Sequence, residues 1–137
     1  MTTAVIASGI LGAAAVLHLY WAAGGRRGFD AVVPQLAGRR LISPGAAMTL
    51  LVALGLLLMA GMILWRAGEI RLSLPFDIAR YSVPLMAALF LARAIGDFRY
   101  VGWSKRVRGT RFARLDDMFY APLCLTLAIC CAIVALG

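Results

Sequence analysis

Four long stretches of apolar residues divide this 137-residue chain, and they constrain its fold more than any other feature of the sequence. A helix of about 20 apolar residues crosses the ~30 Å hydrocarbon core of a bilayer. The four stretches approach this length, and we predict spans over residues 4–23, 46–64, 78–96 and 117–136. The composition, 63% hydrophobic, exceeds the needs of a soluble domain. The sequence therefore predicts an all-α fold, a four-transmembrane-helix bundle that forms one integral membrane domain over residues 1–137.

The basic residues are concentrated in two of the three connections between these spans. Residues 24–43 carry four arginines and residues 97–116 carry six lysines and arginines, whereas residues 67–77 carry only Arg71. Short loops that are rich in Lys and Arg remain on the cytoplasmic side of a membrane. The pattern therefore predicts two cytoplasmic basic loops, with the N- and C-termini outside. Attraction to anionic lipid head groups explains this charge more simply than nucleic acid binding does.

Prolines lie near the beginnings of two spans. Ser43 and Pro44 have the arrangement of an N-cap and a first helical residue, so the second helix is predicted to begin there. A fourth helix that began at Pro122 would extend only ~24 Å, which is too short to cross the bilayer core. We therefore predict that this helix begins near Asp116 and contains Pro122.

The predicted topology brings polar and aromatic side chains from three spans to one level, at the cytoplasmic end. Arg93 and Asp97 are four residues apart, a spacing that lets them pair along one helix face. His18 shares a face with small residues of its own helix, which favours an inward orientation. The candidate ligand-binding residues are His18, Tyr20, Trp21, Arg93, Asp97, Asp116, Asp117 and Tyr120.

Two interpretations of this group remain open. In the functional one, His18 accepts a proton, Arg93 contacts an anion and an aspartate supplies the counter-charge, which makes His18, Arg93 and Asp116 the catalytic candidates. In the structural one, arginine pairs with aspartate, the histidine bonds to a neighbour, and Trp and Tyr anchor the helix ends. A single histidine and the lack of a Cys-x-x-Cys motif argue against a metal site, and the sequence does not identify a cofactor.

Three short blocks stand out in the chain: HLYWAAGG at residues 18–25, IGDFR at residues 95–99 and DDMFYAPLC at residues 116–124. They resemble a bacterial family of small integral membrane proteins of unknown function, whose pattern is H-x-Y-W-x-x-G-G, G-D-x-R and W-D-T-x-x-Y-S-P-L-C. This chain has Leu115, Asp117 and Ala121 in place of its Trp, Thr and Ser. The resemblance covers nearly the whole chain. It implies a multi-pass protein of the bacterial inner membrane with Asp116 as the family aspartate, and it leaves open which aspartate faces the bundle.

Three functions are compatible with these features. The first is an accessory or ligand-binding membrane protein whose polar cluster holds an anionic or amphipathic molecule. The second is a membrane enzyme that acts on a lipid-soluble substrate, with His18 as acid and base. The third is a proton-linked transporter subunit, part of a homo-oligomer or larger membrane complex. Transport is the least favoured because no span carries a central acid.

Overall fold

A computed structural model describes residues 2–73 and 77–137, and most of these residues are helical. Four helical stretches are long and apolar enough to cross a membrane. The prediction of an all-α protein with four membrane-length helices is therefore confirmed, and the chain is a multi-pass membrane protein. The long elements are α1 (Thr2–Ala22), α3 (Ala46–Arg66), α4 (Ile78–Ile95) and a last helix made of α5 (Arg111–Leu115), a π-helical turn (Asp116–Tyr120) and α6 (Ala121–Leu136).

The first basic connection contains short elements of its own. These are α2 (Phe29–Val32) and a two-stranded antiparallel ribbon of β1 (Gln35–Leu36) and β2 (Arg39–Arg40). Gly38, with φ of 75°, lies in the turn between the strands. The connection is therefore folded locally and does not extend either of the helices that it joins.

The long helices pack as two close pairs, α1 with α3 and α4 with α6, and contacts between the pairs are fewer. Small buried residues such as Ala4 and Ala7 line α1, which allows close approach of its partner. The Ser8 hydroxyl donates a hydrogen bond to the Ala60 carbonyl at 3.1 Å and joins the first pair. Many large apolar side chains of the membrane-length helices are exposed on the outer surface, as expected for contact with lipid. The looser contact between the pairs leaves space for a groove.

The second membrane-length helix begins at Ala46, where the predicted span begins, but two residues after the proline that was predicted to be its first helical residue. Gly45 is the N-cap and has extended dihedrals (φ −71°, ψ 166°), so helical geometry begins at Ala46. The prediction that Ser43 caps a helix with Pro44 as its first residue is therefore wrong. Both residues remain in the loop because the chain is still extended at Gly45.

The last helix begins earlier than the residues near Asp116 that the sequence indicated. Thr110 is its N-cap, and the Thr110 hydroxyl accepts a hydrogen bond from the Ala113 N–H at 3.0 Å. An extra turn, α5, therefore precedes the acidic residues. Pro122 lies inside the helix, directly after the π-helical turn.

Candidate functional site

Asp116 is the most deeply buried charged residue among those that the structure describes, with no exposed surface. Its Oδ1 accepts a hydrogen bond from Arg93 Nη2 at 2.9 Å. Its Oδ2 accepts from the Gly102 N–H at 2.6 Å and from Lys105 Nζ at 3.1 Å. A carboxylate with three donors, two of them cationic, is fully satisfied. Asp116 therefore joins α4, the third connection and the last helix.

Lys105 is the second centre of this arrangement and is only 2% exposed. Its ammonium group donates to the Gly102 carbonyl at 2.9 Å and forms ion pairs with Asp116 and Asp117. Asp117 in turn pairs with Arg108 at 3.3 Å near the surface. We name the five residues the ion cluster: Arg93, Lys105, Arg108, Asp116 and Asp117.

The π-helical turn brings both aspartates to the same lysine. Within it, the Ala121 N–H donates to the Asp116 carbonyl, five residues earlier. A wider turn also accommodates Pro122, because a proline ring in a regular helix clashes with the carbonyl four residues before it. The sequence left open which aspartate faces the bundle. Asp116 is buried, and Asp117 is partly exposed at the edge.

The third connection is held in a tight loop by two glycines. Gly96 has φ of 99° and Gly102 has φ of 76°, and their backbones touch. A Cβ atom on Gly96 would lie 1.7 Å from the Val101 carbonyl oxygen. In this loop the Gly102 N–H donates to Asp116, and the Gly102 carbonyl accepts from Lys105. The G-D block of the sequence therefore has a structural role that requires glycine.

Asp97 has a local role that differs from the predicted one. Its Oδ1 accepts hydrogen bonds from the backbone N–H groups of Arg99, Tyr100 and Val101 at 2.7–2.9 Å. The predicted Arg93–Asp97 pair is wrong, because α4 ends at Ile95 and Gly96 turns the chain off the helix. The guanidinium of Arg93 pairs with Asp116 instead.

The hydrogen bonds of Asp97 also change its acidity. A slight loss of hydration raises the pKa of this exposed carboxyl group, but the hydrogen bonds that it accepts from backbone N–H groups stabilise the charged form. The net result is a pKa below the ordinary value for aspartate. Asp97 therefore remains ionised while it holds the loop.

A groove with a volume of about 630 Å³ lies between the two helix pairs, and we refer to it simply as the groove. All four membrane-length helices contribute to its walls, which are mostly apolar. Five of the lining residues have side chains with a polar atom: His18, Trp21, Arg93, Tyr120 and Cys124. The groove is lined by Ile10, Leu11, Ala13, Ala14, Leu17, His18, Trp21, Val32, Val52, Leu56, Phe90, Arg93, Phe112, Tyr120, Leu123, Cys124 and Leu127.

The polar groups of the groove differ in how far they are satisfied. His18 Nδ1 lies 2.7 Å from the Ala14 carbonyl oxygen, a contact that requires the proton on Nδ1. The Tyr120 hydroxyl donates to the Ala31 carbonyl at 3.2 Å. Arg93 is different: its Nη1 is buried and has no hydrogen-bond partner within residues 2–73 and 77–137. One strong donor of a residue that lines the groove is therefore unused.

The other aromatic candidates lie at the end of α1. Trp21 is buried, its ring is 5.1 Å from His18, and its Nε1 donates to the Arg27 carbonyl at 2.9 Å. Tyr20 is exposed and does not line the groove, and its hydroxyl accepts from the Arg27 N–H at 3.4 Å. Trp21 therefore forms one wall of the groove, whereas Tyr20 stabilises the turn after α1.

The eight sequence candidates thus fall into separate groups. His18, Trp21, Arg93 and Tyr120 line the groove, and Arg93 also belongs to the ion cluster with Asp116 and Asp117. Within the described residues, no hydrogen bond or ion pair joins His18 to an aspartate. Lys105 was not a candidate, although it is the only lysine in the chain and it precedes two adjacent aspartates. A single lysine close to two adjacent aspartates was the sequence feature that could have indicated a buried ion pair.

A second cavity, of about 520 Å³, lies over the first basic connection. Arg26 and Arg40 contribute to its rim, together with backbone of Gly24 and Gly25. Arg40 is already paired with Asp30, and Arg26 is exposed to solvent. Because its cations are paired or solvated, this cavity lacks the buried, unsatisfied group that distinguishes the groove.

Comparisons with known proteins give one match. Residues 11–131 match the sequence family described as protein of unknown function (DUF3995). Neither the curated proteins nor the solved structures include a match to this chain. The matched region contains the ion cluster and all but one of the lining residues of the groove. Because the match extends over most of its length, this chain belongs to the DUF3995 family of proteins of unknown function.

Proposed function

We propose that this protein binds an amphipathic, lipid-soluble molecule in the groove between its two helix pairs. The observation that carries the proposal is the buried Arg93 Nη1, which has no partner in the described residues and belongs to a lining residue of this groove. A buried donor without an acceptor costs about 1–3 kcal/mol, so an incoming oxygen atom gains this energy. The volume of the groove lies within the range of small-molecule sites.

The walls of the groove define the remainder of the ligand. Leu11, Leu56 and Leu127 come from three different helices and offer apolar surface. Leu17 and Leu123, at the margin, are exposed on the outer face of the bundle. A molecule dissolved in the bilayer can therefore reach the groove from the side, with its apolar part against these residues and its polar part towards Arg93.

The ion cluster has a separate role in this proposal. Asp116 is saturated by Arg93, Lys105 and Gly102, so it is unsuited to act as the counter-charge of His18. It holds the Arg93 guanidinium in one orientation through Nη2 and leaves Nη1 free. The structural and the functional interpretations of the polar group thus apply to different residues of the same network.

The enzyme and transporter hypotheses lack a comparable observation. A histidine base is normally oriented by a second group such as a carboxylate, and His18 is oriented by the carbonyl of Ala14 in its own helix. We further propose that the bacterial inner membrane is the location, with the exposed arginines of both basic connections near anionic lipid head groups.

The test uses a matched pair of substitutions. Ala14 lines the groove, whereas Ala92 on α4 is exposed and does not line it. Ala14→Phe adds a ring to the groove, and Ala92→Phe adds the same ring to the outer surface. The purified protein is analysed by native mass spectrometry for co-purifying small molecules. We expect a bound species in the wild type and in Ala92→Phe, and at least a tenfold lower occupancy in Ala14→Phe.

Cys124 supplies a second readout because it lines the groove and is only partly buried, whereas Cys130 and Cys131 are buried in the core. In a variant with Cys130→Ala and Cys131→Ala, alkylation of Cys124 by a membrane-permeant thiol reagent should accelerate after delipidation. A wild type without a bound species, together with a Cys124 rate that delipidation does not change, would refute the proposal. So would a bound species that Ala14→Phe does not remove.

A further inference from the structure

We infer that the groove has a second entrance, on the side of the first basic connection, and that the indole ring of Trp21 closes it. This entrance would give a bound molecule access to water, in addition to the lateral access from the bilayer. Its role depends on a ligand in the groove, so the inference rests on the proposed function.

Three neighbouring cavities lie between the first basic connection and the middle of the bundle. The first is the cavity of about 520 Å³, which we name the polar cavity because Arg26, Asp30 and Arg40 line it. The second, which we name the intermediate cavity, has a volume of about 210 Å³ and includes Met48 of α3 in its lining. The third is the groove. Charged side chains thus line the end of the series at the connection, and mostly apolar side chains line the groove.

These cavities share their walls. Phe29 and Thr49 line both the polar cavity and the intermediate cavity. Val32 and Val52 line both the intermediate cavity and the groove. Among the described residues, Trp21 alone lines all three cavities. Because its ring is buried at this junction, Trp21 separates the groove from the polar cavity.

The position of the Trp21 ring depends on the first connection. Its Nε1 donates to the Arg27 carbonyl at 2.9 Å, and Arg27 precedes Gly28, whose φ is 76°. The ring makes edge contacts with His18 and Phe29, at centroid distances of 5.1 and 5.8 Å. Protein interiors are normally close-packed, whereas this buried ring borders three cavities. A rearrangement of the connection that moves the Arg27 carbonyl would therefore release the ring into the neighbouring space.

The polar cavity is suited to form the outer part of this second entrance. Arg26 is exposed, and the paired side chains of Arg40 and Asp30 are each about half exposed, so water reaches this cavity. With the Trp21 ring in place, the apolar groove remains separated from that water. Displacement of the ring would join the three cavities and bring the polar end of a bound molecule into contact with water.

The experiment measures access to two thiols on α3, one on each side of Trp21. Ala46 lines the polar cavity and is exposed, whereas Val52 lines the intermediate cavity and the groove. Ala46→Cys and Val52→Cys are introduced separately into a protein whose three native cysteines are replaced by alanine. The protein is reconstituted in liposomes, and a quaternary ammonium methanethiosulfonate is supplied on both sides. This permanently charged reagent does not dissolve in lipid, so it reaches the thiol of Val52→Cys through the second entrance.

Trp21→Ala removes the ring that separates the cavities. Because the rate of modification follows the fraction of molecules with an open path, we expect the thiol of Val52→Cys to react about tenfold faster in this variant. Trp21→Phe retains an aromatic ring in the wall and should react much more slowly than Trp21→Ala. The thiol of Ala46→Cys lies outside the closure and should react at the same rate in every variant.

Tyr20→Ala is the matched control. Tyr20 is the neighbouring aromatic residue, and it stabilises the turn after α1 but lines none of the three cavities. Its removal should leave both rates unchanged. Phe29→Ala combined with Val32→Ala opens the same walls without changing Trp21, so this double variant should also accelerate modification of Val52→Cys. It keeps the test decisive if Trp21→Ala does not fold.

The outcomes separate this inference from the proposed function. The second entrance is overturned if Val52→Cys reacts no faster in Trp21→Ala and in the double variant, while Ala46→Cys reacts readily. It is also overturned if Tyr20→Ala accelerates the reaction as much as Trp21→Ala, because general loosening of the helix end would then explain both. In either case, a co-purifying molecule that Ala14→Phe removes would still support the proposed function. Faster reaction in Trp21→Ala, with no bound molecule in the wild type, would support the closure by Trp21 and refute ligand binding.

Discussion

The first and third connections are both arginine-rich and carry glycines with positive φ, yet their charges are arranged in opposite ways. In the first connection, Arg40 pairs with Asp30 at 2.5 Å while both side chains remain about half exposed. In the third connection, Lys105 is buried between Asp116 and Asp117. Both loops are rich in basic residues, but these residues have different structural roles. The first connection exposes its arginines to the surroundings, whereas the third connection uses the buried Lys105 to join helices.

The difference has an energetic consequence. An exposed ion pair is screened by water and contributes about 0–1 kcal/mol. A buried pair is costly to form, but removal of one partner leaves an uncompensated charge and destabilises by about 3–5 kcal/mol. The ion cluster should therefore control the stability of the bundle end that holds the groove, whereas the first connection should contribute little.

The largest expected effect is that of Lys105→Met. This substitution retains the length of the side chain but leaves Asp116 with one cation and Asp117 without its buried partner, so we expect a loss of about 3–5 kcal/mol in the free energy of unfolding. Arg40→Met removes the exposed pair and should cost about 0–1 kcal/mol. Unfolding in mixed detergent micelles, followed by circular dichroism, measures both. Equal losses in the two variants would show that burial does not distinguish the loops.

The second effect concerns the glycines of the same two loops. Gly96→Ala places a Cβ atom 1.7 Å from the Val101 oxygen at φ of 99°, so the backbone of the loop must move. Gly38→Ala also has a positive φ, 75°, but its Cβ would meet nothing within 4 Å. We expect about 1–2 kcal/mol of destabilisation for Gly38→Ala, from the left-handed conformation alone, and a larger loss for Gly96→Ala. The same unfolding assay compares them, and a smaller loss for Gly96→Ala would contradict the close backbone contact.

The four membrane-length helices could be predicted because length and hydropathy act locally along the chain. The early start of the last helix could not be predicted in this way. The N-cap at Thr110 and the π-helical turn depend on local backbone geometry, which hydropathy does not describe. The alternating direction of the helices was enough to predict that His18, Arg93 and Tyr120 lie near the same end of the bundle. In the structure these three residues line one groove.

The ion cluster was beyond sequence reasoning for a different reason. Its members are spread over residues 93–117 and meet only because Gly96 and Gly102 fold the third connection back on itself. The i,i+4 rule favoured Asp97 as the partner of Arg93, but that rule holds only within a helix, and α4 ends before Asp97. The fold of the loop between α4 and α5 therefore determines that Arg93 pairs with Asp116 and not with Asp97.

The smallest expected effect is the pH dependence contributed by Asp97, which caps the third loop from outside the ion cluster. A slight loss of hydration raises its pKa, but hydrogen bonds from backbone N–H groups outweigh this effect, so the pKa is lower in the folded protein than the ordinary value. The stabilisation is therefore complete above the unfolded pKa of about 3.9 and is lost as the pH falls through the lower folded value. Asp97→Asn keeps an acceptor oxygen but removes the charge, so it should cost less than about 1 kcal/mol at neutral pH, because water screens an exposed carboxylate. The difference in the free energy of unfolding between this variant and the wild type should shrink as the pH is lowered to about 3.

Ser104→Ala is the control, since it removes the 2.6 Å hydrogen bond to the Ile95 carbonyl from the same loop without removing a titratable group. Its cost should be the same at both pH values. A cost of Asp97→Asn that does not vary with pH would mean that the charge of this carboxylate does not hold the loop, and that only the glycines and the ion cluster distinguish the third connection from the first.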